Sequence, residues 1–314
     1  MNIKHSDRSK LTKYAWLSVA VALLTIGLKT TAYFLTNSVG LLSDALESIV
    51  NLIGALMALS MLTIAARPAD EGHAYGHSKA EYFSSVVEGT LILVAAISIA
   101  YTAIQRMITP QPLEKLGIGL LVSVAASLAN LGVALVLRRA GKLNDSISLT
   151  ANSHHLMTDV WTSAGVLVAV GAVALTGWQL LDPLIAILVA VNIVRTGFGI
   201  IRSSVSGLMD SALSKEDLAV VQCVLDSQKA KEGEVQFHAL RTRQSGATKI
   251  VSMHVLVPEN WTVARGHRLA SQVENALSKA VTNCVVFTHL ESLSDPASLD
   301  DATFESKQTK PEEK

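Results

Sequence analysis

The stretch Leu41-Leu-Ser-Asp44-Ala-Leu-Glu47-Ser-Ile-Val-Asn51-Leu-Ile-Gly-Ala-Leu-Met-Ala-Leu-Ser-Met-Leu-Thr-Ile-Ala65 decides the fold. It lies in an apolar run, about 39–66, and a helix needs roughly 20 mostly apolar residues to cross a bilayer. Asp44, Glu47 and Asn51 interrupt it at spacings of three and four, which places them on one helical face. An ionisable group in lipid costs ~2.5–3.5 kcal/mol on insertion scales, so such groups face a cavity and have a role. A second apolar run repeats the pattern with Asn152, His155 and Asp159. Two such stripes turned toward each other can offer four ligands to a tetrahedral cation, and their carboxylates offset the charge of a divalent metal. The plainer reading is hydrogen bonding between two spans, worth about 0.6–2 kcal/mol. That reading suits Asn152, but the ionisable groups Glu47, His155 and Asp159 are more than helix association requires.

Six runs are long enough to span: about 14–36, 39–66, 82–108, 116–138, 148–177 and 180–201. They predict an all-α six-helix transmembrane domain over 14–208, behind a cytoplasmic N-terminal tail, 1–13. The chain is 50% hydrophobic and 17% charged, with mean hydropathy +0.39, and the excess sits before about residue 205. No secretory signal peptide is expected, because more apolar runs follow the first at once and no small-residue cleavage site is evident. A formal net charge of zero leaves no nucleic-acid footprint. Lys4, Arg8, Lys10 and Lys13, then Arg67 and Lys79, then Arg138, Arg139 and Lys142 mark one side of the membrane. Both termini are therefore expected in the cytoplasm. The third connection, with Arg106 and Lys115, is a mild exception.

Residues 209–295 read as helix, strand, strand, helix, strand, an order that suits a small α+β sandwich of ferredoxin-like type. Ser214 followed by Glu216 and Asp217 predicts a capped helix start, and Ser245-Gly-Ala-Thr248 predicts a hairpin turn. The polar stretch 296–314 is expected to be a disordered tail.

Apart from His5 in the N-terminal tail, the histidines cluster in parts that also carry acids. His73 and His77 share a polar loop with Asp70; His238, His254, His267 and His289 lie in the C-terminal part. Imidazole plus carboxylate is the ligand set of zinc and its neighbours. His238 and His254 fall on the two hairpin strands, so pairing can bring them together. The cysteines, Cys223 and Cys284, lack CxxC spacing and give no cysteine zinc site. Lys29 and Glu88, inside the first and third runs, are expected to pair with each other or to snorkel.

Four motifs carry a family resemblance: Ser38-Val-Gly-Leu-Leu-Ser-Asp-Ala-Leu-Glu47, the loop Arg67-Pro-Ala-Asp-Glu-Gly-His-Ala-Tyr-Gly-His-Ser-Lys-Ala-Glu81, His155-Leu-Met-Thr-Asp159, and His238-Ala-Leu-Arg-Thr-Arg-Gln-Ser-Gly246. The chain resembles the cation diffusion facilitator family, near its bacterial YiiP-like zinc and ferrous-iron efflux branch, up to about residue 295. The resemblance implies a transport site of Glu47, Asn51, His155 and Asp159, with Asp44 one turn back as a further candidate. The span-two pair departs from the family pattern, in which close relatives have Asp at both positions. An asparagine offers only a neutral carbonyl there. It further implies a loop site of Asp70, His73 and His77, and a binuclear cytoplasmic site of His238, His254, His267, His289 and Glu291 that supports a homodimer. Lys79 and Asp210 match a charge pair that joins membrane helices to the cytoplasmic domain.

The expected function is proton-coupled efflux of a divalent transition metal from a bacterial cytoplasm across the inner membrane by alternating access. Metal needs neutral His155 and ionised Glu47 and Asp159, so acid competes with metal. Zinc is the first choice; Fe2+, Cd2+, Co2+ and Mn2+ remain open, and the absence of thiolates from the clusters weakens copper(I). No organic cofactor is expected. An intramembrane metalloprotease would need a motif such as HExxH, which the sequence lacks. A membrane-tethered metal sensor is the alternative, but it has no need of intramembrane carboxylates.

Overall fold

The computed structural model describes residues 11–36, 39–109, 118–178 and 180–299. The chain parts into two compact units between Leu208 and Met209.

The first unit is helical. Its helices are α1 (Thr12–Thr36), α2 (Val39–Ala65), α3 (Ala80–Ile108), α4 (Ile118–Leu143), α5 (Ile147–Thr176) and α6 (Leu181–Leu208), one for each apolar run. Among the described residues, Thr12–Thr31, Ala80–Ile108, Val124–Leu143 and Pro183–Leu208 are long and apolar enough to cross a membrane. The other two helices, α2 and α5, carry the polar stripes. Burial runs opposite to that of a water-soluble bundle. Leu24, Ile97, Leu128, Leu188 and Phe198 are exposed, while Asn51, Ser84, Glu88, Asn130, Asn152 and His155 are buried. An apolar exterior over a polar interior is what a hydrocarbon solvent selects.

Within this unit α1 packs on α2 and α4, α4 on α5, and α3 on α2, α5 and α6. The α3–α6 seam is close: a Cβ on Gly207 would run into the Tyr82 ring, and one on Gly89 would meet Ile201 at 2.7 Å. Small residues at such seams let helix backbones approach where no hydrophobic effect draws them together. The start of α5 is held by Glu81 of α3, which accepts from the Ser146 hydroxyl at 2.5 Å and from the Ser148 N–H at 3.4 Å. A carboxylate is favourable beside the N–H groups of a helix start. The expected pairing of Lys29 with Glu88 is not formed. Glu88 instead accepts from the Ser84 hydroxyl at 3.4 Å, because α1 packs on α2 and α4 while α3 turns to α2, α5 and α6.

The second unit contains α7 (Lys215–Glu232), β1 (Gln236–Ser245), β2 (Thr248–Val257), α8 (Val263–Ala280) and β3 (Cys284–Ser292). The sheet order is β1-β2-β3, with β1 and β2 antiparallel and β2 and β3 parallel. The parallel pair needs a crossover, which α8 supplies. Among the described residues this plan has one strand fewer than the six-element ferredoxin-like motif. Ser214 caps α7 by accepting from the Asp217 N–H at 3.1 Å. The hairpin turns at Gly246, whose φ of +59° suits glycine. Val251, Met253, Val255 and Val257 of β2 pack with Val221 and Leu225 of α7 and Leu269, Val273 and Leu277 of α8. Alternation then sends His254 to the opposite sheet face. β3 runs to Ser292 and so takes in Glu291. One boundary differs from expectation: the polar tail begins with a 3-10 turn, Pro296–Leu299, tied by the Ser298 hydroxyl to the Ser292 carbonyl. The remainder of that tail, like residues 1–10, lies outside the described residues.

Candidate metal centres

The first centre lies among α2, α4 and α5. His155 and Asp159 are one turn apart on α5, and Asn51 of α2 sits between them. Its amide N–H donates to Asp159 Oδ2, and its carbonyl Oδ1 stands 2.7 Å from His155 Nε2. Asn130 of α4 donates to the same Asp159 oxygen at 3.1 Å. Asn51, Asn130 and His155 are 5%, 4% and 4% exposed, so the cluster is screened from solvent. The roles follow from the donor inventory. Ionised Asp159 can only accept, which turns both amide N–H groups toward it; the Asn51 carbonyl is then left for His155, whose Nε2 must donate. His155 Nδ1 is buried without a hydrogen-bond partner.

Asn152, on the same stripe, turns elsewhere: its Nδ2 lies 3.1 Å from Ser18 Oγ of α1. That bond is the helix-to-helix role expected of it. The side chains of Asp44 and Glu47 lie outside the described residues, although both positions fall within α2. Asn130 was not singled out from the sequence. The signal was present, since it is an amide within a span-length apolar run, the same sign that marks Asp44 and Glu47. Replacing Asn130 with alanine is expected to weaken metal binding about 10–100-fold, as loss of an orienting partner does. Isothermal titration of zinc into the purified protein checks this, and an unchanged affinity would remove Asn130 from the site.

The second centre is the loop between α2 and α3. Asp70 Oδ1 lies 3.2 Å from His73 Nδ1, and Asp70 Oδ2 lies 3.4 Å from His77 Nε2. The His73 N–H donates to Asp70 Oδ1 at 2.7 Å, and Gly76, with φ +80°, closes the turn. Desolvation works against ionised Asp70, but the hydrogen bonds from His73 and the nearby imidazoles outweigh it and hold its carboxyl below its ordinary value. A tetrahedral ion with bonds of about 2.0–2.2 Å sets its ligand atoms roughly 3.3–3.6 Å apart. The loop offers nearly that spacing between local residues, with Asp70 and His73 open to solvent and His77 mostly covered.

The third centre lies on the open sheet face. The register pairs His238 with His254 across β1 and β2, and His254 with His289 across β2 and β3. A bulge follows between His238 and Arg241, where Ala239 takes φ +50°. Glu291 lies two residues beyond His289, on the same face. Its two oxygens stand 2.9 Å from His238 Nε2 and 2.9 Å from His254 Nδ1. These groups can hold an ion: one carboxylate and two imidazoles converge within 4.8 Å. His289 stands at the margin, 3.7 Å from Glu291 with its side chain 69% exposed. His267 is exposed on α8 and does not join the group.

Lys79 donates to the Leu208 carbonyl at 3.3 Å within the membrane unit, and Asp210 pairs with Arg243 at 3.3 Å within the second unit.

Residues 15–209 match the model of the cation efflux transmembrane domain, which covers more than half of the chain. The chain belongs to the cation efflux family. Residues 213–293 match the cytoplasmic domain of cation efflux proteins. A Synechocystis protein described as an uncharacterised transporter is 51% identical over 286 residues, 91% of each chain. The cation-efflux pump FieF of Klebsiella pneumoniae is 29% identical over 299 residues, 95% of this chain and 96% of its own. FieF of Escherichia coli is 28% identical over 284 residues, 90% and 93% of the two chains. The resemblance seen in the motifs is therefore one of descent along nearly the whole length. The protein is a membrane transporter of metal cations and not an enzyme, which disposes of the metalloprotease reading.

Proposed function

We propose that this transporter exports divalent transition-metal cations, zinc first, in exchange for protons, by alternating access around the α2–α4–α5 cluster. The observation that supports it best is the meeting of Asn51, Asn130 and His155 on Asp159 in a solvent-screened part of a helical bundle. A hydrogen-bonded pair would suffice to join helices; a carboxylate taking amides from two helices, beside an imidazole with a bare buried nitrogen, is more than that. To accept a cation, His155 must give up its bond to Asn51. The Nε2 proton then leaves or moves to Nδ1, so metal and proton draw on the same groups. Glu47 completes the set as the second carboxylate, with Asp44 one turn back.

Imidazole and carboxylate suit zinc, while the amide carbonyls of Asn51 and Asn130 are hard ligands that keep Fe2+ and Mn2+ open. The loop group of Asp70, His73 and His77 serves as a transfer site at the membrane surface. The sheet group of His238, His254 and Glu291, with His289 beside it, holds a structural or regulatory ion and supports a homodimer. Lys79 and Asp210 stand at the positions of the family's hinge charge pair. Both termini face the cytoplasm, and the membrane is the bacterial inner membrane, in keeping with the bacterial relatives.

Proteoliposomes holding the full chain test the reading. Zinc uptake, followed with a trapped metal dye, is expected to accelerate when protons are more concentrated inside and run out as zinc enters, and to slow when that gradient is collapsed. Flux indifferent to the gradient would sink the antiport. A protein that binds zinc but moves none would be a sensor instead.

A further inference from the structure

The metal clusters leave one buried acid unexplained. Glu88 is 0% exposed on α3, and its Oε2 is buried with no hydrogen-bond partner. Its other oxygen lies 3.4 Å from the Ser84 hydroxyl, which in turn lies 3.1 Å from the Ser148 hydroxyl of α5. The Ser148 N–H reaches Glu81 at 3.4 Å, and the Ser146 hydroxyl reaches the same Glu81 oxygen at 2.5 Å. Glu81, Ser84 and Glu88 follow spacings of three and four, so they share one face of α3. Two hydroxyls, those of Ser148 and Ser84, thus lead by hydrogen bonds to Glu88, while Glu81 holds the start of α5 through the Ser146 hydroxyl and the Ser148 backbone N–H.

We infer that Glu88 is a proton site of the membrane unit, separate from the metal cluster and served by the hydroxyl line of Ser84 and Ser148. This rests on the antiport reading above. A divalent ion is a poor occupant, because one carboxyl and neutral hydroxyls supply too few charged ligands. A proton fits, because binding it removes the charge of a carboxylate that has an unpartnered oxygen in a dry setting. The charged groups around it do not substitute for that proton. From α2 the nearest approach is at Gly54, where a Cβ would lie 3.9 Å from the Glu88 side chain. The ionisable residues of α2, Asp44 and Glu47, are about two turns or more from Gly54 along the helix. From α5 the line itself meets Glu88, and His154, His155 and Asp159 follow further along that helix. From α6, Gly197, Ile200 and Ile201 pack on Gly89; its Arg195 and Arg202 are exposed, and Asp182 lies at its start. On α3 itself the remaining charges are Glu81 and Arg106.

Gly54 is one turn from Asn51, so Glu88 adjoins α2 close to the cation cluster. An ionised Glu88 attracts a dication there and a protonated one does not. Metal and proton can thus oppose each other without sharing a ligand. On loading, an O–H bond forms at Glu88 from a proton passed by Ser84. Ser84 is refilled from Ser148, and Ser148 from water admitted on the side that is open at that point of the alternating-access cycle. On release each bond breaks in reverse order, and every hydroxyl ends as it began.

Full-length protein in proteoliposomes with Zn2+ outside and a pH dye within tests the site. In Glu88→Gln the protons moved per zinc are expected to fall by about half, since the metal cluster retains its own share. Infrared difference spectra on zinc addition should show the loss of a protonated-carboxyl band in wild type that Glu88→Gln lacks. Ser84→Ala keeps the acid and breaks the line, so zinc-triggered proton release should slow roughly tenfold at unchanged zinc affinity. Wild type that couples while Glu88→Gln couples identically, with the band intact, overturns the Glu88 site alone. Wild type that moves zinc with no protons overturns the antiport and the Glu88 site together.

Discussion

Replacing Asp159 with alanine is expected to lower zinc flux about 100-fold or more, beyond what loss of an orienting partner costs. Asp159 takes the amide of Asn51 from α2 and that of Asn130 from α4, next to His155 on its own helix. The truncation removes the carboxylate proposed to hold the cation and also strands two buried amides, at about 1–3 kcal/mol each. Asp159→Asn separates these effects. It keeps the shape and one acceptor oxygen but not the charge, so the protein should fold more stably than the alanine variant and still fail to transport. Stopped-flow uptake, with thermal unfolding in detergent as the companion measurement, reads both. An asparagine variant with near-normal flux would show that the cluster joins helices and does not carry ions.

Glu291→Ala should lower zinc affinity at the sheet cluster about 100-fold while zinc still crosses the membrane. One side chain serves both imidazoles, at 2.9 Å each, so its removal dismantles the group in a single step. Glu291→Asp is a sharper probe. A carboxylate one methylene shorter cannot stay at both distances, and an intermediate loss of about tenfold is expected. Equilibrium dialysis of the full chain counts the bound zinc, and proteoliposome flux measures transport in the same preparations. Undiminished zinc binding by Glu291→Ala would remove this cluster from the list of metal sites.

Much of this was legible in the chain. The spans could be read because a bilayer demands length and apolarity that nothing else in the sequence mimics, and each run became a helix. Asp70, His73 and His77 could be read as a group because a loop of eight residues, 70–77, holds them together. His238 and His254 could be paired because the hairpin turn sets their register. Glu291 was harder: only the parallel pairing of β2 and β3, made through α8, shows that its carboxylate reaches both imidazoles while His267 does not join them.

The sequence alone determined that this chain lies in a membrane, which helices carry polar faces, and where its histidines and acids cluster locally. These depend on periodicity and composition, which are properties of neighbours along the chain. The tertiary structure decided which polar residues meet. Asn130 enters from α4, Asn152 leaves toward Ser18, and Glu88 bonds Ser84 instead of Lys29. The reason is that helix faces are set by the local repeat of 3.6 residues per turn, whereas the partner a face meets depends on how separate helices pack, and no local pattern encodes that choice.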